Sequence, residues 1–313
     1  MRESPESWQP LALDPDADCL NLEPLLGDSP AFSAMRVLLG KFALPETSVL
    51  IRGESGTGKA LMARTLHQAS PRRGKPFVVL TCANVPADTL QAQLLRSFEV
   101  AEGGTLLFKD IDALALEAQA SVLRILHDKS IQRTGSGQPV AVNVRVLATS
   151  AIDLVAAVIQ GRLRKDLYYR LNVLELVVPP LRERRDDLAL LARHFLQCDQ
   201  PGAKRRPCTL SEGALAAMAQ YAWPGNVREL ASRVRRGWVV AEGLRIEAHD
   251  LGLEASLQAS GAIDTLEVYK DRAEREALRD VLYRHGHNLS RAAKVLGVSR
   301  PTFYRLLHKH GLR

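Results

Sequence analysis

The clearest chemical signal in the chain is the stretch Gly53-Glu54-Ser55-Gly56-Thr57-Gly58-Lys59. Its spacing matches the phosphate-cradling loop G-x-x-x-x-G-K. Glycines at the bends let backbone N–H groups curl around a phosphate without Cβ clashes. A helix starting at the end of the loop points its positive dipole end at the anion, and Lys59 adds a full charge. The flanks supply that context. Ser48 to Ile51 predicts a buried strand, and Ala60 to Gln68 predicts a helix with Leu61, Thr65 and Leu66 on one side. The next motif position usually carries a Ser or Thr hydroxyl that holds Mg²⁺. Here it is Ala60. Phosphate contacts are therefore expected from Gly53 through Ala60, while a metal must find its ligands elsewhere or be absent.

A second chemical constellation closes the chain, from Asn288 to Leu307. Ala292, Ala293 and Leu296 give one short helix a small apolar face against which a second can pack. Gly297 suits a turn with positive φ. Ser299 is a good N-cap, and Pro301 falls in the first turn, where its missing N–H costs little. Phe303, Leu306 and Leu307 should face inward. Arg300, Thr302 and Arg305 remain for base edges or phosphates, with Ser299 at the same helix end. Tyr304 either meets phosphate or covers the helix, and Lys309 and Arg313 suit backbone contacts. The expected partner is double-stranded DNA. A generic three-helix packing module is the competing reading.

Charge supports the nucleic-acid reading. The chain has 313 residues and a formal charge of +7. Residues 265–313 hold eleven Lys or Arg against five Asp or Glu, whereas residues 1–20 hold one Arg against five Asp or Glu. A basic module at one end suits an anionic polymer. No apolar run reaches the ~18–20 residues that a membrane helix needs. No apolar signal core follows Met1, so a cytoplasmic location is expected. Cys19, Cys82, Cys198 and Cys208 lack metal-site spacing and read as reduced thiols.

The elements that must position the loop alternate in type. Further apolar strand runs lie at Pro76–Leu80, Gly104–Phe108, Val142–Thr149 and Val173–Val178, with helical patterns between them, notably Pro30–Phe42 and Leu114–His127. Such alternation predicts a parallel sheet covered on both faces. Beyond Arg182 only helical patterns follow, at Asp186–Leu196, Ser211–Tyr221 and Asn226–Ala241. A charged helix from Leu266 to about His285 presents Tyr269, Ala273, Ala277, Val281 and Leu282 at helical spacing. It could pair across a two-fold axis and set two DNA half-sites ~34 Å apart. With so short a stretch ahead of the loop, no separate sensory domain is expected there.

Together these stretches resemble the bacterial enhancer-binding proteins, the activators of sigma-54 RNA polymerase. The similarity is carried by the phosphate loop, Gly103-Gly104-Thr105-Leu106, Asp166-Leu167-Tyr168-Tyr169-Arg170-Leu171-Asn172-Val173, Pro180-Leu181-Arg182-Glu183-Arg184 and Trp223-Pro224-Gly225-Asn226-Val227-Arg228-Glu229-Leu230. It spans roughly residues 22–252, with a Fis-type helix-turn-helix after it. The resemblance implies an α/β AAA+ P-loop core over 21–182 and a helical lid over 183–251. An acidic arm at 1–20, a linker at 252–264 and an all-α helix-turn-helix domain at 265–313 complete the expected organisation. It also implies ATP or ADP as ligand, RNA polymerase as partner, and self-assembly into dimers or hexameric rings. Arg164 and Arg170 match the arginine fingers that reach a neighbouring subunit's nucleotide, and Arg228 matches the second sensor. Structural ion pairs are the alternative role for these three.

Four departures from the family pattern bear on mechanism. The long insertion ending in Gly-Ala-Phe-Thr-Gly-Ala, which contacts sigma-54, is missing, because Leu94-Leu95 runs through Arg96-Ser97 straight into Phe98-Glu99. The Asp-Glu pair ending the third strand is Lys109-Asp110. A protonated lysine cannot ligate Mg²⁺, and Asp110 is one methylene short for polarising water. Lys109 either offsets triphosphate charge or turns to solvent. The first-sensor Asn falls at Ala151, and the Asn partnering the catalytic Glu falls at Thr81. The expected function is thus a DNA-binding regulator with a nucleotide-binding, hydrolysis-impaired core that acts independently of sigma-54. Asp110, Arg164 and Arg170 are its candidate catalytic residues. A hydrolysing sigma-54 activator and a non-catalytic partner of an intact paralogue are the alternatives.

Overall fold

The computed structural model describes residues 25–84, 87–132, 139–198, 208–241, 243–253, 270, 273–274, 277–278, 281–282 and 289–310. The acidic arm, the linker from 254 onward, Tyr269, Arg313 and most of the helix expected over 266–285 lie outside the described residues. The chain divides into two units, Met1–Glu254 and Ala255–Arg313.

The first unit opens with α1 (Pro30–Ala43), β1 (Val49–Arg52), α2 (Lys59–Gln68), β2 (Phe77–Thr81), α3 (Ala87–Val100), β3 (Thr105–Lys109) and α4 (Leu116–Asp128). There follow β4 (Ser130–Gln132), β5 (Pro139–Ala141), β6 (Arg145–Ser150), α5 (Leu154–Ile159), α6 (Lys165–Leu171) and β7 (Leu174–Val177). Five strands form one parallel sheet in the order β2-β3-β6-β1-β7. Because successive side chains alternate between faces, the central strands β1, β3 and β6 feed two cores, whereas β7 feeds one. Leu50, Leu106, Phe108, Val146 and Ala148 pack with Leu94, Phe98 and Val122 on one side. Val49, Ile51, Leu107, Leu147 and Leu176 pack with Phe32, Met35, Met62 and Leu66 on the other. Each large apolar side chain so buried contributes about 1.5–3 kcal/mol. This two-sided burial explains why the strands read as unbroken apolar runs.

A parallel sheet brings all its strand carboxyl ends to one edge. Arg52 pairs in register with Ser150, and Thr81 with Lys109, so the loops after β1, β2, β3 and β6 share that edge.

The lid consists of α7 (Leu188–Cys198), β8 (Thr209–Leu210), α8 (Glu212–Gln220), α9 (Asn226–Val240) and β9 (Arg245–Ile246). Its core centres on Trp223, which is 1 % exposed and donates its indole N–H to the Met218 carbonyl at 2.9 Å.

Several expectations need correction. The region beyond Arg182 is not purely helical, since β8 and β9 form a short parallel pair. The fourth sheet strand starts at Arg145 rather than Val142, because the Asn143 carbonyl accepts from Gly103 N–H and from Arg72 instead of joining a ladder. On α2, Met62, Ala63 and Leu66 are the buried apolar positions, while Leu61 is only partly buried and Thr65 bonds back to the Leu61 carbonyl. Helices α3, α5 and α6 and the β4–β5 hairpin join the expected elements.

One buried carboxylate ties the lid to the start of the first unit. Asp187, 1 % exposed, accepts from Asp28 N–H, Ser29 N–H and the Ser29 hydroxyl at 2.7–2.9 Å, and pairs with Arg184 at 2.9 Å. Arg184 in turn stacks over the Phe32 ring, 3.7 Å from its centroid. Burial pushes the Asp187 carboxyl upward, but these hydrogen bonds and Arg184 outweigh it and leave the pKa lowered. The folded state therefore binds fewer protons than the unfolded one. The resulting stability is complete above about pH 4 and is lost as pH falls further. Asp187→Ala strands the buried Arg184 and is expected to cost about 3–5 kcal/mol. Urea denaturation at pH 7 measures this, and a loss under about 1 kcal/mol would contradict it.

Candidate functional site

The phosphate loop spans β1 and α2 as its spacing requires. Gly56 and Gly58 take φ of +78° and +97°, left-handed values that a residue with a Cβ adopts at a cost. A Cβ at Gly56 would also run into the Gly225 carbonyl of the lid. Lys59 is 8 % exposed, and its ammonium donates to the carbonyls of Gly53 at 2.8 Å and Glu54 at 3.0 Å. Burial lowers its pKa, while the charges of Asp110 and Asp112 act in the opposite sense.

The lid closes on this loop through Glu54. Its carboxylate accepts from Arg182 at 2.8 Å and from the Asn226 amide at 3.1 Å, which hold its pKa below the usual range. Asn226, fully buried with φ +51°, also donates to the Ser55 carbonyl at 3.0 Å and accepts Leu181 N–H at 2.8 Å. Arg228 donates its backbone N–H to the Gly56 carbonyl at 3.2 Å and lies 3.5 Å from the Ser55 hydroxyl. Leu25, Leu26, Phe32, Leu61, Leu191 and Val227 line an apolar slot beside Gly56, Thr57 and Gly58. The slot holds about 30 Å³.

The altered positions meet on the sheet's carboxyl edge. Thr81 ends β2, Lys109 ends β3, and Ala151 follows β6. Asp110 turns sharply at φ +57°, with its backbone N–H on the Thr149 hydroxyl at 3.0 Å. Here the structure adds a residue that the sequence reading passed over. Asp112 lies in the turn Ile111–Ala113, and its Oδ1 is buried without a hydrogen-bond partner among the described residues. Asn226 and Arg182 were missed too, although both fall inside the stretches that carry the family resemblance. An acidic residue two places past Asp110 was the available signal for Asp112.

Arg164 and Arg170 do not join the phosphate loop of their own chain. They line a separate open cleft of about 640 Å³ with Arg124, His127, Asp166 and Tyr169. Arg164 pairs with Asp166 at 2.8 Å, and Arg170 donates to the Leu126 carbonyl at 2.8 Å.

In the C-terminal unit, α10 (Leu289–Val295) and α11 (Arg300–Lys309) pack through Ala292, Ala293, Phe303 and Leu307, with Leu278 and Val281 beneath. Gly297 has φ +68°. The Ser299 hydroxyl accepts Thr302 N–H at 3.3 Å and lies 2.8 Å from the Thr302 hydroxyl, so these two side chains serve the cap. Leu306 is partly rather than fully buried. Arg300, Tyr304 and Arg305 are exposed on α11. Lys309 pairs with Glu274 at 3.0 Å and stays half exposed.

Among the described residues no helix is long and apolar enough to cross a membrane. Among the described residues Cys82, Cys198 and Cys208 form no disulfide, and burial pushes the Cys82 thiol up to about 12. Cys19 lies outside the described residues.

Comparison with known proteins fits this geometry. A family model described as the sigma-54 interaction domain matches residues 25–97 and 93–177, two pieces that overlap in this chain. An AAA+ ATPase lid domain matches residues 182–265, and the Fis family of bacterial regulatory proteins matches 271–310. Response regulator protein PilR of Pseudomonas aeruginosa is 38% identical over 305 residues, covering 90% of this chain and 68% of that protein. Regulatory protein AtoC of Escherichia coli is 36% identical, covering 92% and 68%. The crystal structure of NtrX from Brucella abortus in complex with ADP superposes with a TM-score of 0.70 at 29% identity, covering 92% of this chain and 69% of that one. The chain belongs to the sigma-54 interaction domain family, as a transcription regulator with an ATP-binding AAA+ core, its lid and a Fis-type DNA-binding domain.

Proposed function

We propose that this regulator binds ATP or ADP between an α/β subdomain (21–182) and a lid (183–251) without hydrolysing ATP efficiently, and acts on transcription independently of sigma-54. The carrying observation is the shared carboxyl edge of the sheet, where Thr81, Lys109, Asp110 and Ala151 stand in place of the family's polar set. Phosphoryl transfer depends on positioned charge at the γ-phosphate, and losing one oriented group costs about 2.7–4 kcal/mol in barrier. Nucleotide binding is supported by the glycine loop, by Lys59, and by the ADP bound to the similar NtrX. Independence from sigma-54 is supported by the overlap of the two matched pieces at residues 93–97, where the loop that contacts sigma-54 would be inserted. Arg164 and Arg170 serve a subunit contact in this reading, because their cleft is separate from the chain's own nucleotide pocket. That same cleft supports a second reading, a partner subunit lending its fingers to an intact paralogue.

Steady-state γ-phosphate release at saturating ATP and Mg²⁺ tests the first claim. Turnover is expected below about 0.01 s⁻¹, and a rate of about 1 s⁻¹ or above would overturn it. Reporter transcription in a strain lacking sigma-54 tests the second. Retained regulation is expected, and complete dependence on sigma-54 would reverse the assignment.

DNA recognition is assigned to α11. Arg300 and Arg305 lie exposed on this helix, so their removal leaves the Phe303 and Leu307 core untouched. On genomic fragments retained by the wild-type protein, Arg300→Ala and Arg305→Ala are each expected to weaken binding by about 1–3 kcal/mol if they read bases. Phosphate contacts would instead flatten the salt dependence. A double variant with wild-type affinity and salt dependence would refute the assignment.

A further inference from the structure

The family places Mg²⁺ at the triphosphate, and the strand-end position that would hold it carries an ammonium, Lys109. The residues around it nonetheless fit a hard dication. Asp112 Oδ1 is buried and lacks a hydrogen-bond partner among the described residues. A buried carboxylate oxygen left unpaired is costly, and a cation relieves that cost. The turn that follows Lys109 explains how a carboxylate reaches this region. Asp110 takes the left-handed conformation with its N–H fixed on Thr149, and the short turn Ile111–Ala113 then carries Asp112. Both carboxylates are near enough to act electrostatically on Lys59, whose own ammonium is already held by the Gly53 and Glu54 carbonyls. Both also act on Cys82, beyond the end of β2. The acidic pair therefore acts on both the phosphate loop and the end of β2. Among the described residues no group of three or more His, Cys, Asp or Glu could hold a metal unaided. Mg²⁺ needs no such cage, because it is usually bound by one or two carboxylates, substrate phosphates and retained waters.

We propose that Asp112 supplies this chain's carboxylate to the divalent cation of a bound nucleoside triphosphate, replacing the acidic residue lost at position 109. The inference rests on the nucleotide-binding reading above, and goes beyond it by naming the metal ligand. It is compatible with impaired hydrolysis, since holding a cation does not supply the missing water-polarising glutamate.

The test uses the full chain and AMP-PNP, and reads binding rather than turnover. The affinity with saturating Mn²⁺ is divided by the affinity in EDTA for wild type, Asp112→Asn and Lys109→Ala. The wild-type ratio is expected to be about tenfold or more, equivalent to about 1.4 kcal/mol. Asp112→Asn should bring the ratio close to one while keeping the EDTA affinity, which also shows that the variant is folded. Lys109→Ala should keep or raise the ratio. A wild-type ratio near one, or an unchanged ratio in Asp112→Asn, overturns the inference and leaves nucleotide binding standing. No binding by wild type in either condition refutes the nucleotide reading itself, and this inference with it.

Discussion

A lysine ammonium buried behind a glycine loop has to be compensated, and the first unit is arranged around that need. Lys59 is 8 % exposed, and two loop carbonyls take its protons while two aspartates on the neighbouring strand turn offset its charge. One of those carbonyls belongs to Glu54, whose side chain is clasped by Arg182 and Asn226. The lid is thus docked onto the same residues that would meet a phosphate. Any ligand that draws Lys59 away from the loop carbonyls disturbs the loop that carries the lid clasp. The phosphate loop and the lid are joined in this way through a handful of short hydrogen bonds.

The proposed function separates binding from cleavage at the carboxyl edge of the sheet. Binding relies on backbone N–H groups, a helix dipole and one lysine, all of which survive intact. Cleavage relies on side chains placed at the ends of β2, β3 and β6, and those have changed together. The Asp187 hub and the Trp223 core lie apart from those positions and hold the lid's fold without them. Arg164 and Arg170 persist on another face, already engaged by Asp166 and the Leu126 carbonyl.

Much of this was legible in the residues, and the reasons are physical. Strands buried on both faces are continuous apolar runs, so β1 and β3 were visible within a residue or two, and the edge strands β2 and β7 keep enough apolar residues to show as well. The glycine loop and the Gly297 turn declare themselves because few residues accept positive φ. Short helices such as α5 and α6 lack the length for a periodic signal, and two-residue strands such as β8 and β9 carry none. On α2, Leu61 packs against both the lid core and the core that holds Leu66, a tertiary fact that periodicity does not encode. Asp112 escaped notice because its relevance depends on the left-handed bend at Asp110. Asn226 was quoted only as part of a motif; that its amide bridges loop and lid depends on a contact between residues far apart in the chain.

The central claim is that the pocket grips a triphosphate while lacking the groups that cut it. Restoring those groups tests this most directly. A chain carrying Thr81→Asn, Lys109→Asp, Asp110→Glu and Ala151→Asn should bind ATP with near wild-type affinity and release phosphate at least ~10² times faster than the parent. Equal rates in parent and restored chain, with ATP bound by both, would contradict the account.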